Sequence, residues 1–217
     1  MTHHLSVIVL AGGDARRLGG RKADRHVAPR QRLMDPALEL AAELSDDVLL
    51  LDRARSLPAS GTRRVADLPD VPGPLGGLGA GLAAARHDWC LLLPCDLPRP
   101  DRDVVDALLA DLAGEATSAF DAAVVTDDAR RQPFHGLYHR RLLVAVTELA
   151  HGPLESHERR SLTALLERCA HRGRLLERPL DTLGAAADGA FLQDVDTPAD
   201  LATARRLAAA INPRVRA

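Results

Sequence analysis

Near its start the chain reads Leu5-Ser6-Val7-Ile8-Val9-Leu10, followed by Ala11-Gly12-Gly13-Asp14-Ala15-Arg16-Arg17-Leu18-Gly19-Gly20-Arg21-Lys22. The apolar run has the length and composition of a buried strand, and the Gly- and Arg-rich segment after it predicts a loop. Glycine lets backbone N–H groups approach an anion closely, and arginine and lysine add positive charge there. The stretch therefore predicts a strand that leads into a phosphate-binding loop, although an ordinary Gly-rich turn with solvated arginines has the same composition. It does not fit the P-loop pattern, because Gly13 and Gly19 are too far apart and Ala23 follows Lys22.

Apolar strand-like runs and helical patterns alternate along the rest of the chain. Predicted strands cover 5–10, 48–51, 64–66, 90–93, 122–125, 134–139 and 190–193, with 134–139 as a second, antiparallel edge element. Segments 23–33 and 68–81 predict loops, and a helix is expected to start near Leu82. This alternation predicts an α/β fold in a single domain over 1–217: a three-layer α/β/α sandwich around a Rossmann-like, mostly parallel sheet.

The composition limits the classes of function. The 28 basic and 30 acidic residues give a net charge of -2, which argues against a general nucleic-acid or membrane-surface binder. The three cysteines have neither disulfide nor zinc-site spacing, which favours a reducing compartment. The first apolar run is too short for a signal peptide, and no stretch is long enough to span a bilayer. We therefore expect a cytoplasmic protein with no nucleic-acid or membrane partner.

Two further segments place acidic side chains after predicted strands. Asp96 follows the strand at 90–93 in Pro94-Cys95-Asp96-Leu97-Pro98, and Asp194 and Asp196 lie in Asp194-Val195-Asp196-Thr197-Pro198. Ligands of open parallel sheets bind beyond the carboxyl ends of strands, and Mg²⁺ prefers a few carboxylates together with substrate phosphate oxygens. Asp96 is thus a candidate metal ligand or an ordinary turn residue beside proline. The second segment can equally be a capped helix start, an interpretation favoured for Asp194.

Several segments together resemble the MobA-like nucleotidyltransferases, whose signature is L-A-G-G-x-S-x-R-M-G-x-D-K. Leu18 replaces the Met of that signature, and Ala15 and Arg21 replace its Ser and Asp. Similar matches occur for the family's G-P-L-x-G, P-C-D-x-P and N/D-x-N/D-T-P motifs, and Gln132–Leu137 is similar to its Q-P-x-x-x-L segment. The residues in register with the first signature are Leu10, Ala11, Gly12, Gly13, Arg17, Gly19 and Lys22.

The resemblance implies roles for particular residues. It implies catalytic roles for Arg17, Lys22 and Asp96, and it makes Asp96 a ligand of Mg²⁺, with Asp196 as a second ligand. It favours substrate contact over plain helix packing for the loop around Gly73–Gly77. Asp52 and Asp67 follow predicted strands where the family places nucleotide contacts, although either can be a solvated turn residue. The implied nucleotide-binding residues are Leu10, Ala11, Gly12, Gly13, Lys22, Asp52, Asp67 and Asp96.

The resemblance also implies an activity. We expect a Mg²⁺-dependent nucleotidyltransferase that moves GMP from GTP onto molybdopterin and releases pyrophosphate. Its substrates would be GTP and molybdopterin, with transient contact to proteins that insert or accept the molybdenum cofactor. The alternatives are a transferase of the same fold that uses CTP or another phosphorylated acceptor, and a catalytically silent nucleotide-binding homologue. The polar segment 23–32, where the family usually continues into an apolar strand, is the feature that favours the silent alternative.

Overall fold

The computed structural model describes residues 4–12, 14–15, 20–52, 57, 60–68, 71, 73–113, 116–151, 160–186 and 190–211. The strands in these residues are β1 (Leu5–Leu10), β2 (Asp14–Ala15), β3 (Gly20–Arg21), β4 (His26–Ala28), β5 (Gln31–Arg32), β6 (Asp47–Leu51), β7 (Arg63–Val65), β8 (Trp89–Pro94), β9 (Ala122–Asp127), β10 (Arg130–His139) and β11 (Leu175–Pro179). The helices are α1 (Asp35–Leu44), α2 (Pro74–Ala84), α3 (Arg102–Asp111), α4 (Ala116–Ala119), α5 (Leu143–His151), α6 (Leu162–His171) and α7 (Pro198–Ile211).

The main sheet has seven strands in the described part of the chain, in the order β11-β9-β10-β8-β1-β6-β7. β1 pairs in parallel with both β6 and β8, with Leu10 opposite Leu51 on one side and Pro94 on the other. Only β10, among these seven strands, runs antiparallel to its neighbours. The chain moves outward from β1 to β6 and β7 and then returns to β8, so the strand order reverses between β1 and β8. Ligands of such sheets bind at this switch point, beyond the carboxyl ends of the strands.

Helices cover both faces of the sheet, as the predicted three-layer sandwich requires. Side chains of α1 and α3 pack with Val7 and Val9 on one face. Side chains of α2, α5 and α6 pack with Ile8 on the other face. The alternation of β1 between the two faces explains why this strand is apolar along nearly its whole length. The predicted fold class is therefore confirmed.

The segment after Lys22 is a β-hairpin and not the predicted loop. β4 pairs with β5 antiparallel, and backbone bonds from Leu33 to Arg25 and from Met34 to Ala23 close its base. Val27 and Leu33 are buried in a small third cluster with residues of α7. The polar composition concealed this hairpin, because only two of its side chains enter that cluster.

Helix α2 begins at Pro74, eight residues before the predicted start. Gly73 has a φ of 78°, a left-handed conformation that glycine adopts at no steric cost, and Pro74 then occupies the first turn. The glycines between Pro74 and Leu82 predicted a loop, but they lie within the helix and are buried. They allow close packing: a Cβ added to Gly81 would lie 2.5 Å from Ile8 Cδ1 of β1.

Two other sequence predictions are corrected, and one strand was not predicted. β10 is antiparallel, as expected, but it lies between β8 and β9 and not at the edge. The edge strand is β11, whose mixed composition gave no clear signal. The segment predicted as a strand at 190–193 forms a 3₁₀ turn over Ala190–Leu192 that buries Phe191. Across the described residues, no helix combines the length and apolarity needed to cross a membrane.

Candidate active site

The carboxyl ends of β1 and β8 are tied together at the switch point. Cys95 N donates to Leu10 O at 3.0 Å, and Ala11 N donates to Leu51 O at 2.8 Å, so the loops after β1 and β8 leave the sheet side by side. Cys95 points into the core, and burial raises the pKa of its thiol well above the usual range. Asp96, the next residue, keeps 23% of its side chain exposed. The strand end thus presents the carboxylate and not the thiol.

Lys22 joins the two predicted metal ligands. Its Nζ donates to Asp96 Oδ2 at 2.7 Å and also to Asp196 Oδ1. Asp96 and Asp196 follow Lys22 by 74 and 174 positions in sequence. The exposed fraction of the side chain is 10% for Lys22, 23% for Asp96 and 56% for Asp196. A buried ammonium is therefore held by two carboxylates that open toward solvent.

The contacts between Lys22 and the two aspartates shift the pKa values of the side chains in this site. Burial alone would lower the pKa of Lys22, but the hydrogen bonds that Lys22 donates to Asp196 and Asp96, together with their negative charges, outweigh it and raise the pKa. The hydrogen bond from Lys22 lowers the pKa of Asp196. Asp194 differs: burial and then the charge of Asp196 raise its pKa. A charged cation thus lies between two acidic side chains at neutral pH.

A capped helix start holds Asp196. Thr197 Oγ1 accepts a hydrogen bond from Asp200 N at 3.2 Å, and Asp200 Oδ2 accepts one from Thr197 N at 2.8 Å. This reciprocal capping box fixes the first turn of α7, which begins at Pro198 as the sequence predicts. Val195 N donates to Asp96 O at 3.1 Å, which ties this segment to the loop after β8. The same short segment therefore caps α7 and places Asp196 beside Lys22.

The opening loop is described only in part. Gly13 and Arg17 lie outside the described residues, as do Arg16, Leu18 and Gly19. β2 and β3 pair antiparallel at the base of the loop, and this pairing leads directly to Lys22. Leu10 and Ala11 lie at the strand end, and Gly12 is exposed where the loop begins.

Asp52 and Asp67 lie at the same edge of the sheet, beyond β6 and β7. Asp52 is buried, and its Oδ2 accepts a hydrogen bond from Leu57 N at 2.8 Å, so it stabilises its own turn. Asp67 lies nearer β1: its Oδ1 is 3.7 Å from the position of a Cβ added to Gly77, which also packs on Leu10. The structure therefore brings Lys22, Asp96 and Asp196 into direct contact, with Asp67 along the same edge.

One feature of this edge was not predicted from the sequence. Lys22 was assigned to the triphosphate and the two aspartates to a metal, but nothing in the sequence indicated that they contact one another. One signal was present, however: Lys22 is the only lysine in the chain, and the other 27 of its 28 basic residues are arginine. His135, in the segment similar to the family's Q-P-x-x-x-L segment, has a fully buried imidazole.

The seven-stranded, mostly parallel sheet with helices on both faces has the fold of the nucleotide-diphospho-sugar transferase type. The chain belongs to the MobA-like NTP transferase domain family, whose model matches residues 7–172. The resemblance inferred from the opening signature is thereby confirmed.

Curated relatives and solved structures agree with this assignment. A molybdenum cofactor guanylyltransferase of Pseudomonas aeruginosa is 41% identical over 107 residues, which are 48% of this chain and 54% of the relative. One of Pseudomonas putida is 33% identical over 146 residues, covering 66% of this chain and 74% of the relative. The match therefore spans about half the length of the first relative. The crystal structure of molybdopterin-guanine dinucleotide biosynthesis protein A from Archaeoglobus fulgidus superposes with a TM-score of 0.74 at 19% identity, over 94% of this chain and 99% of that one.

Proposed function

We propose that the protein is a guanylyltransferase that moves GMP from GTP onto molybdopterin and releases pyrophosphate. The contact of Lys22 with Asp96 and Asp196 at the switch point of the sheet carries this proposal. It gives the family's expected cation-binding and phosphate-binding side chains a common location. The names of the curated relatives support the choice of GTP and molybdopterin. We also propose a cytoplasmic location and transient contact with proteins that insert or accept the finished cofactor.

The donor set at this edge fits a magnesium ion. Two carboxylate oxygens, from Asp96 and Asp196, already converge on one cation, the Lys22 ammonium. No group of three or more His, Cys, Asp or Glu side chains able to hold a metal occurs among the described residues. Mg²⁺ suits such a sparse set, because it takes one or two carboxylates and completes its shell with water and substrate phosphates. Bound there, it would supply positive charge near the reacting phosphates.

The chain's own groups would position and neutralise the two anionic substrates. Backbone N–H groups of Gly12 and Gly13, with Arg17 and Lys22, would bind the triphosphate and stabilise the departing pyrophosphate. A phosphate oxygen of the acceptor attacks the α-phosphorus of GTP, a new P–O–P bond forms, and the α–β P–O bond breaks. The attacking phosphate is already ionised, so no side chain needs to accept a proton. Asp67, and with less support Asp52, would contact the nucleoside.

The test is an assay of pyrophosphate release with GTP, molybdopterin and Mg²⁺. We expect Asp96→Asn to lower kcat by about a hundredfold or more, because the substitution removes a carboxylate that would hold the metal beside the reacting phosphates. Asp181→Asn, which changes an exposed carboxylate in the turn after β11, is the matched control and should retain full activity. Circular dichroism checks that both variants fold. Full activity of Asp96→Asn would refute its assignment as a metal ligand.

Calorimetry with GTP, CTP, ATP and UTP, with and without Mg²⁺, separates the alternatives. The proposal expects GTP to bind most tightly and to turn over. Preference for CTP would identify the related transferase, and binding of GTP without turnover on the acceptor would identify a silent homologue. The polar segment 23–32 favoured the silent homologue. Because this segment forms a hairpin and Lys22 contacts Asp96, its polar composition is compatible with a lysine in the proposed site.

A further inference from the structure

Lys22 occupies the space between the two carboxylates that the proposed function assigns to a metal. Its ammonium donates to Asp96 Oδ2 and to Asp196 Oδ1, and the side chain is 90% buried in this position. An ammonium has three donor hydrogens and no acceptor, so it satisfies both carboxylates as a small cation does. The site is thus neutralised from within by the chain itself.

A divalent cation bound to the same two carboxylates would lie within a few ångströms of this ammonium. Two positive charges a few ångströms apart repel each other, and the repulsion is stronger in a partly buried site than in water. A metal entering the free protein therefore competes with Lys22, and full use of both carboxylate oxygens that Lys22 contacts would break two charge-assisted hydrogen bonds. The displaced ammonium then needs another anionic partner, because its side chain lies in a largely buried position.

We propose that Lys22 competes with the metal for Asp96 and Asp196 in the free protein and passes to the triphosphate when nucleotide binds. The carboxylates become available to a divalent cation only after this exchange, so the metal enters together with the nucleotide. This inference rests on the proposed function, because it takes the two aspartates as metal ligands. In the free protein Lys22 would bind the two carboxylates, and with nucleotide bound it would bind the triphosphate while a metal takes its place.

The surroundings allow the side chain to move while the backbone stays in place. Lys22 O accepts from Arg25 N at 3.1 Å, and the buried Ala23 accepts from Met34 N at 3.3 Å, which fixes the base of the hairpin. Val195 N bonds Asp96 O, so the two carboxylate-bearing segments remain together when the ammonium leaves. Only the side-chain torsions of Lys22 need to change.

The competition makes a specific prediction about metal binding without nucleotide. Mn²⁺ titrations followed by electron paramagnetic resonance should show weak binding to the wild type. Lys22→Met keeps the length of the side chain without its charge, and it should bind Mn²⁺ about tenfold more tightly or better, because no internal cation opposes the metal. Lys22→Arg keeps the charge and should bind as weakly as the wild type. Equal or weaker binding by Lys22→Met than by the wild type would overturn the proposal.

A second measurement follows the unsubstituted residue. Expression with ¹³C-labelled lysine marks one side chain, since Lys22 is the only lysine in the chain. The isotope leaves the charge and the three donor hydrogens of the ammonium unchanged. The NMR signal of Lys22 should move when GTP and Mg²⁺ are added together and stay in place with Mg²⁺ alone. A full shift with Mg²⁺ alone would also overturn the proposal.

The same titrations distinguish failure of this inference from failure of the proposed function. In the presence of GTP, Asp96→Asn should bind Mn²⁺ more weakly than the wild type. If it does not, the metal site itself is wrong, and with it the competition. If Asp96→Asn weakens binding but Lys22→Met does not tighten it in the free protein, the metal site stands and only the competition fails.

Discussion

His135 is a buried imidazole in the part of the sheet that supports the site. Its Nε2 accepts a hydrogen bond from Asp101 N at 3.2 Å, and its ring lies 5.0 Å from that of Phe191. Asp101 follows the loop that carries Asp96, and Phe191 precedes the segment that carries Asp196. The residue also has a φ of 57°, at an irregularity in the pairing of β10 with β9. One side chain therefore contacts both segments that carry the carboxylates.

Burial lowers the pKa of His135 to about 3, far below its ordinary value, so the folded protein keeps it neutral. The unfolded chain binds a proton there below about pH 6.5, and this favours unfolding. The contribution of neutral His135 to the free energy of unfolding is thus fully present above about pH 6.5 and decreases as the pH falls toward 3. Between pH 7.5 and pH 5 the wild type should lose roughly 2 kcal/mol more than His135→Asn, because Asn does not titrate and tolerates positive φ.

Urea unfolding at the two pH values measures this difference. The other histidines are the same in both proteins, so their contribution cancels in the comparison. Equal losses in the wild type and the variant would show that His135 is protonated in the folded protein.

At the level of single residues, sequence predicted the kinds of side chain better than their contacts. The position of Asp96 after a buried strand and the capping pattern of Thr197 are local signals, and the structure contains both features. The contact of Lys22 with Asp196 depends on the course of the whole chain between them. No local pattern encodes it, which is why the metal and phosphate roles were predicted as separate.

The packing of α2 on β1 depends on the absence of side chains. At Gly81 an added Cβ would lie 2.5, 2.7 and 2.9 Å from three carbons of Ile8. In an open helix, alanine would be more stable than glycine by about 1 kcal/mol. Here the overpacking cost of about 1–3 kcal/mol opposes that gain. We expect Gly81→Ala to lower the free energy of unfolding by about 1 kcal/mol, measured by urea denaturation.

Ile8→Val is the matched test of the cause. It removes the carbon nearest to the added Cβ, so Gly81→Ala should cost less in that background than in the wild type. Additive effects of the two substitutions would mean that the helix shifts away from β1 without involving Ile8.

At the level of elements, sequence predicted those whose burial follows a regular pattern. β1 and β8 are continuous apolar runs with matching registers, and both were predicted. α2 was predicted too late, because its glycines serve tertiary packing and contradict helix propensity. β10 was predicted at the edge because residues 134–139 alternate between apolar and polar side chains, and β11 was missed because an edge strand needs little apolar sequence. The form or position of α2 and β10 depends on elements that are adjacent in the fold but distant in sequence, such as β1 for α2.

The seven-stranded sheet is built from strands between Leu5 and Pro179, and α7 packs against the β4–β5 hairpin. Arg205 Nε donates to His26 O at 3.1 Å, and Val27 packs with Leu201. We therefore predict that residues 1–217 unfold as a single domain. Fluorescence of Trp89, the only tryptophan, and far-UV circular dichroism should give coincident urea transitions. GTP with Mg²⁺ should move both to higher urea. Two separate transitions would show that the hairpin and α7 form an independent unit.

Asp196 follows Lys22 by 174 residues, so the ribosome makes one partner long before the other. While the chain is being synthesised, β1 and β8 can pair and Asp96 can meet Lys22, but α7 is still absent. A nascent chain at that stage exposes the lysine and one carboxylate without the second. The contact of Lys22 with Asp196 thus forms later in biosynthesis than its contact with Asp96, and a nascent chain without α7 leaves the proposed site with one of its two carboxylates.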